Sequence, residues 1–118
     1  MSIQKDVSTK QERYISKRFE DIGGTTVPAS GGGKFDSGDV RINKDFLIEC
    51  KTVTKDQNSF SIKREWMDKI KEQAFEEGIA NSCLAFRFGP SDKDYVVTTL
   101  DLFETLIRNY LEGYSNGK

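Results

Sequence analysis

Asp39, Glu49 and Lys51 stand close together in the stretch GDVRINKDFLIECK, with strongly apolar residues between them. Two carboxylates and an ammonium are the parts of a hydrolytic site. The acids hold a hard divalent cation through oxygen, and the lysine orients or deprotonates a water. The chain has no histidine, which removes the commonest general base and the commonest zinc ligand. Any hydrolysis therefore runs on carboxylates, lysine and a hard metal ion, with magnesium expected and manganese as its substitute.

Whether these side chains meet depends on the elements that carry them. "DVRI" and "FLIEC" read as strands joined by a turn at Asn43, Lys44 and Asp45. With the turn centred on Lys44, Ile42 faces Phe46, Val40 faces Ile48 and Asp39 faces Glu49. Directly opposed residues bring their Cβ atoms to ~5 Å on one side of the sheet. Glu49 and Lys51 share a face because side chains alternate along a strand. Asp39, Glu49 and Lys51 therefore converge, while Phe46, Ile48 and Cys50 point into a core. Opposed acids repel, so something positive belongs between them. Lys51 is one candidate and a divalent cation bound by both acids is the other. The competing reading is an ordinary hairpin with a solvated, charged side.

A third carboxylate comes from "STKQERYISKRFEDIGG", which reads as a helix stopped by Gly23 and Gly24. Ile15, Phe19 and Ile22 mark its buried face. At 100° per residue Glu12 lies within ~60° of Ile15 and ~20° of Phe19, so it points partly inward. It also fits a capping box with Thr9, and the two roles are compatible. Glu20 reads as plain surface.

"PASGGGKFDSGD" is a loop whose successive glycines permit close backbone approach and expose N–H groups that hold phosphate. Ser30 and Lys34 add a hydroxyl and a cation. A plain linker is the alternative, and without GKS or GKT the loop is not a nucleotide-binding P-loop.

The remaining chain supplies the frame. "SIKREWMDKIKEQAFEEG" reads as a helix with Ile62, Trp66, Ile70 and Ala74 inward and Gly78 as its stop. "SCLAFRF" reads as a central strand, "YVVTT" as a further strand, and "DLFETLIRNYL" as a final helix capped by Asp101 and Glu104. The order α-β-β-β-α-β-β-α, counting a short extended piece at Val27, predicts an α/β sandwich with a mixed sheet. The 118 residues suit a single domain over 1–118. Cys50 and Cys83 sit in apolar runs and read as buried free thiols.

Net charge is −1, so a nucleic-acid surface must be a local patch. Lys10, Arg13 and Lys17 on the first helix, with Lys34 in the loop, supply one. No apolar run approaches the ~20 residues that span a bilayer, and the N-terminus lacks a signal-peptide core. The expected location is the cytoplasm, of a prokaryotic cell or a virus-infected host.

Taken together, Asp39, Glu49-Cys50-Lys51, Glu12 and "VPASGGGKFDSGDV" resemble the PD-(D/E)XK nuclease superfamily, and within it the archaeal-type Holliday junction resolvases. The likeness runs over about residues 9 to 89. It implies a restriction-endonuclease-like fold, a central mixed sheet flanked by helices. It implies magnesium held by Asp39 and Glu49 with Glu12 assisting, Lys51 at the attacking water, and Ser30 against DNA near the scissile phosphate. It also implies four-way DNA as partner and a homodimer, because a junction is cut symmetrically on two strands. The C-terminal helix, with Leu102, Phe103, Leu106, Ile107, Tyr110, Leu111 and Tyr114, offers interface material. The alternatives are another nuclease of the superfamily (restriction, nicking or repair) and a non-catalytic nucleic-acid-binding module.

Overall fold

The computed structural model describes the backbone of residues 3–27 and 39–115 and the side chains of 7–26 and 39–113. It is an α/β domain: a five-stranded mixed sheet with three helices. Helix α1 spans Ile3–Arg18 and is followed by a short 3-10 turn, Glu20–Ile22. The strands are β1 (Gly24–Val27), β2 (Asp39–Ile42), β3 (Phe46–Lys51), β4 (Asn81–Phe86) and β5 (Tyr95–Val97). Helix α2 (Arg64–Glu77) connects β3 to β4, and α3 (Leu100–Ser115) follows β5.

The sheet order is the chain order, β1-β2-β3-β4-β5. All neighbours are antiparallel except β3 and β4, which the α2 crossover makes parallel. The β2–β3 turn has Asn43 in the left-handed region at φ 52, which asparagine tolerates. Asn43 Nδ2 donates to Ile22 O at 3.0 Å and ties the turn to the end of the first helical segment.

Strand alternation sorts the side chains onto two faces. Val40, Ile42, Ile48, Cys50, Cys83 and Ala85 form one core with Ile15 of α1. Leu47 and Leu84 form the other with Ile70, Ala74 and Ile79, and Trp66 and Met67 pack against it. Both cysteines are free and buried, as expected. Burial pushes the Cys83 thiol up to about 11, and the Cys50 thiol is also raised, first by burial and then by the carboxylates around it. No described helix is long and apolar enough to cross a membrane.

Four local expectations need correction. Helix α1 begins at Ile3, so Thr9 lies inside it and forms no capping box with Glu12. Nothing between Ile3 and Thr9 breaks a helix, and extension of a nucleated helix is favourable. Ile22 is 55 % exposed because the 3-10 turn swings it off the helical stripe. Ile62 precedes α2 and is 36 % exposed rather than inward. The α3 cap is Thr99, whose Oγ1 accepts from Leu102 N at 3.2 Å.

Candidate active site

The β2–β3 register pairs Asp39 with Glu49, Val40 with Ile48 and Ile42 with Phe46, as the turn centre at Lys44 predicts. Asp39, Arg41, Glu49 and Lys51 consequently share the face covered by α2. Lys51 Nζ lies 3.2 Å from Glu49 Oε2. The ammonium also sits 4.6 Å from the centroid of the Trp66 ring. Lys51 is thus held between an anion and an aromatic face, a geometry that orders a flexible side chain.

Asp39 is gripped from one side. Gln73 Nε2 donates to its Oδ2 at 2.9 Å, and Arg41 approaches the same oxygen at 3.8 Å. Arg41 is fixed in turn by a bidentate pair with Glu77, at 2.8 and 2.7 Å. That pair raises the Arg41 pKa and lowers that of Glu77. Gln73 reaches Glu77 Oε2 as well, at 3.0 Å, so one turn of α2 braces the start of β2. Asp39 Oδ1 is buried and has no hydrogen-bond donor among the described residues.

Glu49 shares this environment, with its side chain 14 % exposed. Its pKa is raised to about 7, first by burial and then by the Asp39 charge, while Lys51 acts in the opposite direction. Once protonated, Glu49 can give Asp39 a hydrogen bond; ionised, it faces a second anion. Two hard oxygen ligands, one with a buried lone oxygen and one resisting ionisation, make a site that a divalent cation fits.

Glu12 stands in a different layer. It belongs to α1, which packs on the opposite face of the sheet, and Ser8 Oγ donates to its Oε2 at 3.0 Å. Glu12, Asp94, Asp39 and Glu49 all act electrostatically on the Cys50 thiol, which lies in the core beneath α1. Among the described residues, no three acidic, cysteine or histidine side chains gather closely enough to hold a metal. The neighbouring Gln11 fastens α1 to this end of the sheet. Its fully buried Nε2 donates to Lys51 O at 3.0 Å and to Asp94 Oδ1 at 2.9 Å. Asp94 forms a two-toothed ion pair with Arg87, both contacts at 2.9 Å.

Lys10, Arg13 and Lys17 are exposed along α1, so the expected basic stripe exists. It lies in the α1 layer, across the sheet from Asp39 and Glu49. Ser30 and Lys34 fall outside the described residues.

Sequence reasoning missed Arg41, Trp66, Gln73 and Glu77 as members of the site. Arg41 was within reach, since it stands two residues from Asp39 and must share its face. Trp66 read as core. Gln73 and Glu77 carry no signal of their own, because a polar residue on a helix flank looks like surface.

Comparisons with protein-family models, with curated proteins and with solved structures returned no match.

Proposed function

We propose that the chain is a divalent-metal-dependent endodeoxyribonuclease of the restriction-endonuclease-like type, acting on branched DNA as a homodimer. The observation that carries this reading is the convergence of Asp39, Glu49 and Lys51 on the α2 face, with a buried Asp39 oxygen that has no donor among the described residues. Opposed acids cost stability in an ordinary hairpin, and a cation ligated by both offsets that cost.

Asp39 and Glu49 would hold the ion; Glu12, expected to assist, sits with α1 on the opposite face of the sheet and stays outside this pair. Bound there, a magnesium ion supplies positive charge at a phosphate oxygen and lowers the pKa of a bound water. Gln73 and Arg41 keep Asp39 in one rotamer. Lys51, steadied by Glu49 and Trp66, orients the attacking water and stabilises negative charge on the phosphate. The water oxygen forms the new P–O bond as the bond to the leaving DNA oxygen breaks. Lys10, Arg13 and Lys17 would contact the backbone of a DNA that wraps round the sheet end, and Ser30 and Lys34, outside the described residues, would add a hydroxyl and a cation to that surface.

The test is incubation with Mg²⁺ of end-labelled four-way, flap, single-stranded and linear duplex DNA, with Asp39→Asn as control. Paired cuts in the four-way DNA, absent in the control, support the reading. Cleavage of flap or single strands alone would keep the nuclease and remove the resolvase. No cut in any substrate by wild type, with Mg²⁺ or Mn²⁺, would leave the non-catalytic binding module.

A further inference from the structure

Lys51 is the last residue of β3, and its pairing with Phe86 is the last rung of the parallel ladder to β4. Its ammonium lies on the α2 side of the sheet, but its backbone is held from the other side. Gln11 of α1, fully buried, donates from Nε2 to Lys51 O at 3.0 Å and to Asp94 Oδ1 at 2.9 Å, with Ala85 O of β4 at 3.4 Å. One side-chain amide therefore ties the end of β3 to α1 at the point where the ladder stops.

The surroundings dictate which end of the amide faces the strands. Three oxygens, one of them a carboxylate's, converge on Nε2, and only an NH2 group suits them. Asp94 is itself fixed by its two-toothed pair with Arg87, a buried residue whose Nη1 also donates to Pro90 O at 3.1 Å. An apolar side chain would fill the same space beside Ile15, one turn on, and would leave Lys51 O and Asp94 facing hydrocarbon. Packing alone does not call for a glutamine here; a fixed donor does.

We infer that Gln11 is a positioning residue for Lys51. It holds the carbonyl of the strand's last residue, and so fixes the backbone from which a long, flexible side chain reaches Glu49 Oε2 and the Trp66 ring. Without the amide the end of β3 is free to peel from the ladder, and the ammonium leaves its place between the acid and the ring. Lys10 and Arg13, exposed on α1 within two residues of Gln11, are the proposed phosphate contacts. The helix that would grip the DNA backbone is thus bolted to the residue that would serve the attacking water. The kinetic consequence rests on the role proposed for Lys51; the geometric one does not.

Gln11→Met keeps the length of the side chain and removes the donor. In metal-free protein the emission of Trp66, the single tryptophan, should move to that of Lys51→Met. With Mg²⁺ the single-turnover cleavage rate should fall about tenfold or more while DNA affinity stays within about twofold, since a small displacement at a reacting centre costs rate rather than binding. Gln11→Asn, whose amide is one methylene short of Lys51 O, should behave the same way, and it gives the answer if Gln11→Met does not fold. Ile15→Ala removes buried contacts from the same face of α1 and controls for mere destabilisation: it should lower Tm and leave emission and rate unchanged. Wild-type emission, or a wild-type cleavage rate, in folded Gln11→Met would overturn the inference. So would equal emission shifts in Gln11→Met and Ile15→Ala, or a Lys51→Met spectrum identical to wild type. A wild type that cuts no DNA removes the proposed nuclease activity, and the emission test then still decides whether Gln11 places Lys51.

Discussion

Replacing Glu49 by glutamine should make the metal-free protein more stable at pH 8 and leave it nearly unchanged near pH 4. In the folded chain the Glu49 carboxyl ionises at about 7, against 4.5 for an ordinary glutamate, because it is buried and faces Asp39. A carboxyl with a raised folded pKa holds its proton more tightly when folded. Its contribution to stability is complete below the unfolded value and drains away as pH climbs toward the folded one. Between pH 4.5 and about 7 that loss comes to ~3 kcal/mol. Glutamine keeps the shape, has no proton to lose and can donate to Asp39. The Lys51 ion pair is already contained in that value, because its attraction pulls the Glu49 pKa down. The net gain at pH 8 is therefore ~3 kcal/mol, or roughly 8–15 °C in Tm. Urea titrations in EDTA at pH 4.5 and pH 8, followed through the single tryptophan, measure it directly. Comparing variant with wild type cancels the titrating groups that do not interact with Glu49. Adding Mg²⁺ at pH 8 should then stabilise wild type and not the variant, by mass action on the folded state. A variant no more stable than wild type at pH 8 would refute the argument that opposed acids strain the metal-free hairpin.

Asp39→Asn should abolish cleavage while DNA binding survives or improves, since a ligand charge and a repulsion with phosphate leave together; a normal rate with Mg²⁺ would remove Asp39 from the site. Lys51→Ala should lose most activity and Lys51→Arg should not restore it, because guanidinium differs in shape and essentially never gives up a proton; single-turnover rates decide. Lys51→Met should also shift the emission of Trp66, which now lies 4.6 Å under the ammonium, and an unchanged spectrum would deny that contact in solution. Gln73→Ala should weaken Mg²⁺ binding by calorimetry and lower stability by ~1 kcal/mol, as Asp39 loses its neutral donor. Reversing the charge of Arg13 and Lys17 together should weaken binding to all DNA sequences alike and flatten its salt dependence, measured by fluorescence anisotropy.

What the chain determines locally was legible. Alternation in DVRI and FLIECK, with a turn at Asn43, is enough to oppose Asp39 to Glu49 and to put Lys51 beside them. Side-chain direction in a hairpin follows from register alone. The α/β order, the interior place of β4 between β3 and the edge strand β5, and the two buried thiols follow from apolar patterning in the same way. Boundaries were less secure. Helix α1 runs from Ile3 because extending a helix is easier than starting one, and Thr99 caps α3 because it immediately precedes Leu100 and its hydroxyl accepts from Leu102 N in the first turn.

Other features depended on which elements came to lie over which. Periodicity could turn Glu12 inward on its helix but could not say which face of the sheet the helix covers; packing put α1 on the Ile48 and Cys50 side. Gln73 and Glu77 became part of the Asp39 environment because the α2 crossover returns the chain over β2 and β3. Their partners lie 34 and 36 residues away, and no local pattern encodes such a meeting. The same holds for the environment of Glu49. Its sequence neighbours show a charged strand, but burial beneath α2 and a second acid across the ladder raise its pKa. Charge type is a property of the residue, whereas the free energy of carrying that charge is a property of everything packed around it.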